Sequence, residues 1–83
     1  MQIEHYLVAA IKTWDGMTPD ERRNPAGLAL RNEVKAIGMT AAFFGDYDAM
    51  KRLHDAAEDL VGNDNSVGYW LNTMWDQIGD WCS

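Results

Sequence analysis

Cysteine is nearly missing from this chain: Cys82 stands alone beside the last residue, so no intrachain disulfide can form and a disulfide-stapled secreted scaffold is excluded. A reducing cytoplasm is the expected setting. Basic side chains are also scarce, seven Lys and Arg against thirteen Asp and Glu, for a formal charge of −6. Such a chain repels nucleic acid and anionic lipid and is drawn to basic partners, with association that weakens as salt rises. No run approaches the 18 or so uninterrupted apolar residues of a membrane helix. The opening MQIEHYLVAAIKTW carries Glu4, lacks a basic leader and has no small-residue cleavage signal, so an untargeted, non-membrane protein is expected.

Catalytic and metal signatures are missing as well. There is no Gly-x-Ser-x-Gly elbow and no glycine-rich phosphate loop. His5 and His54, with the terminal Cys82, do not have zinc-ligand spacing. A calcium loop begun at Asp46 would need an oxygen ligand at Met50, glycine at Lys51 and glutamate at Ala57, and all three fail. His54 reads instead as a boundary residue paired with Glu58 one helical turn on. The expectation is a non-enzyme with no catalytic residue, no metal and no cofactor.

What is present is enough to fold. Apolar residues make up 47% and charged ones 24%, and four Trp, three Tyr and two Phe offer large core side chains. Residues 1–83 are expected to form a single helical domain near the lower size limit for an unstapled core. Ile3, Tyr6, Leu7, Ala10, Ile11 and Trp14 recur at helical steps and end near Gly16. Thr18, Pro19 and Glu21 then read as a capping box with proline at the first helical position, and Asn24-Pro25 restarts the chain.

Leu28, Leu30, Val34, Ile37, Ala41 and Phe44 suggest a further helix in which Gly38 either breaks the element or marks a tight crossing, leaving one helix or two open. Met50, Leu53, Ala57, Leu60 and Val61 share a face of the next, closed by Gly62. A last helix, capped by Asn65 or Ser66, would carry Val67, Leu71, Met74, Ile78 and Trp81 on one stripe. The fold class is therefore all-α, a compact bundle of four to five short helices.

Charge is uneven along the chain. Residues 1–45 carry five acids and five bases, whereas residues 46–83 carry eight acids and only Lys51 and Arg52. Asp48, Asp55, Glu58 and Asp59 fall on the solvent side of their helix, and Asp64, Asp76 and Asp80 can extend the patch. Tryptophan is enriched at binding hot spots; Trp14 and Trp81 are expected in the core, while Tyr69, Trp70 and Trp75 at the stripe margin are candidate anchors. These ten residues form the expected partner-binding site. Plain solubilisation is the alternative role of the acids.

The stretch VKAIGMTAAFFGDYDAMKRLHDAAEDL resembles a single tetratricopeptide-type helical hairpin, with Gly38, Gly45, Tyr47 and Ala57 at that repeat's glycine, glycine, aromatic and alanine positions. Val34, Met50 and His54 depart from its pattern, and arrays of this kind need about three copies. In size, acidity and lack of catalytic motif the whole chain is similar to phage-encoded anti-CRISPR proteins. That resemblance implies a cytoplasmic inhibitor, monomer or weak dimer, that occupies the basic DNA-binding surface of a CRISPR effector subunit and does not itself bind nucleic acid. The competing expectation is a helical adaptor acting through the tryptophan-rich C-terminal helix.

Overall fold

The computed structural model describes residues 3–62, 65–79 and 81, and places them in four helices with no strand among the described residues. Helix α1, Ile3–Asp15, buries Leu7, Ala10, Ile11 and Trp14, the face that its three-and-four spacing dictates. Its C-terminal carbonyls are closed from outside: the Arg22 guanidinium donates to Trp14 O at 3.1 Å and to Asp15 O at 3.0 Å. A cation at that end also complements the helix dipole.

Helix α2, Pro19–Arg23, is a single turn built by the expected capping box. Glu21 N donates to Thr18 Oγ1 at 3.2 Å and Thr18 N donates to Glu21 Oε1 at 2.8 Å, so two orphan amides are satisfied reciprocally. Asn24 is extended and Pro25 opens the next helix. A Cβ on Gly27 would lie 2.5 Å from Glu21 O and 2.6 Å from Arg22 Cα, so only glycine lets α2 fold back this closely.

The question of one helix or two over residues 25–44 resolves as one: the chain is unbroken at Gly38, and the turn comes at Gly45 and Asp46, before the next helix. Helix α3, Pro25–Val61, is broken by Gly45 (φ −154°, ψ 19°) and Asp46 (φ 55°, ψ −149°) into arms of residues 25–44 and 47–61. Leu53 of the second arm lines the same cleft as Ile37 and Ala41 of the first, so the arms fold toward each other. Gly38 marks the tight crossing: a Cβ there would meet the Trp75 indole at 2.6 Å.

Helix α4, Asn65–Trp75, packs between α1 and α3. It begins at Asn65, so its cap falls outside the described residues. It also ends six residues before Trp81, which corrects the expectation of one continuous stripe. Gln77 (φ 74°) and Gly79 (φ 56°) turn the chain, and Ile78 N to Trp75 O (2.9 Å) and Trp81 N to Ile78 O (3.0 Å) hold the reversal. Trp81 reaches the core by this hook. Its ring lies edge-on to Trp75 at 5.4 Å and beside Tyr47 at 5.4 Å and His54 at 5.3 Å.

Leu7, Ile11, Val34, Met50, Val67, Leu71 and Trp75 are wholly buried and form the centre of one core. Five positions read as core-facing are not: Ile3 is 48%, Tyr6 36%, Leu28 44%, Leu60 44% and Phe44 80% exposed. The Cα radius of gyration, 12.0 Å, matches the ~12 Å of a close-packed chain of this length.

Candidate functional site

The second arm of α3 carries the acids singled out from the sequence. At 100° per residue, Asp48, Asp55 and Asp59 fall on one side of the helix, and all three are exposed. Two bases dilute the stripe. Arg52 lies within it, one turn after Asp48, and Lys51 Nζ bonds Asp55 Oδ2 at 2.9 Å. That hydrogen bond is the main reason the Asp55 carboxyl is held below its ordinary range, with a further contribution from His54 Nδ1 at 3.3 Å. Asp48 and Asp59 make no ion pair or hydrogen bond among the described residues.

Glu58 stands at the flank of the stripe, its side chain still 46% exposed. Its Oε1 lies 2.9 Å from His54 Nε2, off the line of a hydrogen bond. Its carboxylate also lies over the backbone of buried Gly68 in α4, where a Cβ would come within 3.3 Å of it. Glu58 therefore joins α3 to α4. His54, only 12% exposed at the side chain, is the boundary residue its spacing suggests.

His54, Asp55 and Glu58 bring three potential ligand atoms within 4.8 Å of one another. The Lys51 ammonium already satisfies Asp55, and an i, i+1, i+4 set on one helix leaves half of a coordination sphere to solvent. The cluster is a set of polar contacts along one face of α3.

The aromatic anchors separate into three environments. Trp75 is corrected outright: it is fully buried, and its Nε1 donates to Val34 O at 2.9 Å, so it is a core residue and cannot fill a partner's pocket. Trp70 is half-buried and tied down. Its Nε1 donates to Asp15 Oδ1 at 2.8 Å, its ring meets Trp14 edge-on at 5.7 Å, and Arg22 stands 4.8 Å over its face. Tyr69, 61% exposed and 5.0 Å from the Trp70 ring, is the anchor left accessible. Trp14 and Trp81 are buried as expected.

Asp76 is half-buried and interacts within the chain, so it is not a free acid. Asp64 and Asp80 lie outside the described residues. The structure thus brings Asp48, Asp55 and Asp59 together, turns Glu58 toward α4 and removes Trp75 from the surface.

Sequence periodicity missed the largest apolar feature. Between Ala36 and Gly45 the chain has no charged side chain, and on this segment Met39 is 53%, Phe43 82% and Phe44 80% exposed. Beside them is an open cleft of about 370 Å³ walled by Ile3, Ala36, Ile37, Thr40, Phe44 and Leu53. The available signal was a ten-residue helical stretch, residues 36–45, without a charged side chain, which by itself reveals no inward direction. No family model, curated protein or solved structure matches this chain.

Proposed function

We propose that this protein is a small non-catalytic inhibitor that presents the acid face of the second α3 arm to a basic nucleic-acid-binding surface, that of a CRISPR effector subunit, and so excludes DNA. One observation carries the reading: Asp48, Asp55 and Asp59 stand exposed on a single helical face of a chain whose formal charge is −6. Asp55 and Asp59, one turn apart, stand about 6 Å from each other, and Asp48 lies two turns before Asp55, about 10 Å along the axis.

A basic groove built for phosphate gains from each such carboxylate, and the association is steered by long-range attraction that salt screens. Asp48 and Asp59, which have no basic partner among the described residues, supply most of that attraction. Asp55 supplies less, because Lys51 already neutralises it at 2.9 Å. Tyr69 is the aromatic able to anchor the edge of the contact. The adaptor alternative is weakened at the C-terminal helix, where Trp75 is interior and Trp70 is bonded to Asp15.

The test is a plasmid-interference assay across a panel of CRISPR-Cas types with the protein co-expressed. Protection of the targeted plasmid in one type is expected, lost when Asp48, Asp55 and Asp59 are changed together to Lys while the helical circular dichroism spectrum is unchanged. Protection in no type, or full protection by the triple variant, refutes the proposal.

A further inference from the structure

Two copies of this acidic chain repel each other little where neither presents charge, and the end of the first arm of α3 provides such a surface. Residues 36–45, AIGMTAAFFG, contain no ionisable side chain in a protein of formal charge −6. Gly38 turns inward against Trp75, so the opposite side of the helix, carrying Ala36, Met39, Thr40, Phe43 and Phe44, faces out. All five are exposed.

We infer that this face is the interface of a two-fold homodimer in which the first arms of α3 pack antiparallel about Thr40. In an antiparallel pairing centred on residue 40, residue 44 of one copy lies opposite residue 36 of the other. Large Phe44 therefore meets small Ala36 twice, and Phe43 meets the margin of the cleft at Ile37. A two-fold interface requires such self-complementarity, a projection and a recess on the same surface. The recess is present as the cleft of about 370 Å³ beside Phe44. Thr40, at the axis, is already prepared for burial: its hydroxyl donates to Ala36 O at 2.9 Å, so covering it strands no polar hydrogen.

The area suffices. Phe43, Phe44, Met39 and Ile3, at 82%, 80%, 53% and 48% exposure, offer roughly 500 Å² between them if a fully exposed large side chain presents ~200 Å². Ala36, Thr40 and the cleft walls bring this toward the ~800 Å² per partner of a standard interface. A monomer seldom leaves so large an apolar patch uncovered. The salt response is distinctive, because screening relieves repulsion between two acidic copies and so strengthens the dimer. The proposed inhibitory contact with a basic surface has the opposite salt dependence.

Sedimentation equilibrium under reducing conditions, which removes any bridge through Cys82, tests the inference over micromolar to millimolar protein at low and high salt. The expected result is a mass rising from 9.4 kDa toward twice that value, at lower concentration in high salt. Phe43→Asp and Thr40→Arg, both at exposed positions and checked for folding by circular dichroism, should each weaken dimerisation at least about 30-fold, a loss of about 2 kcal/mol. Tyr69→Ala, on the last helix, should leave it unchanged. A chain that stays monomeric throughout, a dimer indifferent to both substitutions, or one dissociated by Tyr69→Ala alone would each overturn the inference.

Discussion

Adding one methyl group at Gly38 sets two large effects against each other. In an isolated helix, Gly→Ala stabilises by about 1 kcal/mol. Here the new Cβ would lie 2.6 Å from Trp75 Nε1, 2.8 Å from Cδ1 and 2.9 Å from Cε2, all closer than carbon atoms tolerate. The indole cannot swing aside freely, being fully buried and bonded to Val34 O at 2.9 Å. Overpacking of this kind costs about 1–3 kcal/mol, and an indole N–H pushed off its acceptor adds about 1–3 kcal/mol.

The steric and polar terms exceed the propensity gain, so Gly38→Ala should destabilise by roughly 2–3 kcal/mol. That is a large share of the ~4–12 kcal/mol expected of a chain this long. The melting temperature should fall by about 10–20 °C. Thermal and urea unfolding followed by circular dichroism measure it, with the urea slope unchanged if the unfolded state is unaffected. A second background isolates the cause. With Trp75→Phe already present, the Nε1 atom is gone, and the penalty of Gly38→Ala should shrink by at least about 1 kcal/mol. A Gly38→Ala protein as stable as the parent, or an equal penalty in both backgrounds, would refute the close helix crossing.

Asp46 at φ 55°, ψ −149° occupies a region that suits glycine, so Asp46→Gly should raise stability by about 1 kcal/mol in a urea melt. Gly27→Ala would drive a Cβ into the Glu21 and Arg22 backbone and should lower the melting temperature by about 10 °C or more. Trp81→Ala should cost about 3–5 kcal/mol and expose Trp75 to solvent, seen as a red shift of its fluorescence. Asp55 is held low by Lys51; its folded pKa lies below its unfolded one, so its contribution is complete above about pH 4 and is lost as pH falls through the folded pKa. In an NMR titration Lys51→Met should move the Asp55 pKa back up, and no movement would remove that ion pair from the account.

The acid stripe was legible because helical periodicity and charge are both local: Asp48, Asp55 and Asp59 share a side of any helix that contains them. The approach of Glu58 to α4 was not, since it depends on Gly68, ten residues on, offering bare backbone beneath the carboxylate. Arg22 illustrates the same limit. In sequence it is half of an Arg pair, whereas in space it closes α1 and covers the faces of Trp14 and Trp70.

By itself, the sequence determined the all-α class, the first three helix starts and the capping box at Thr18, because propensity, caps and proline act within a few residues. It also determined the charge asymmetry. It placed the boundary between the two middle helices after Phe44 as well, where Gly45 and Asp46 break α3. Only the tertiary structure decided that Trp81 returns by a hook, that Trp75 is interior, and that Phe43 and Phe44 are left outside. A charge-free stretch such as residues 36–45 has no preferred inward side until its neighbours choose one, and here the indole of Trp75 against Gly38 makes that choice.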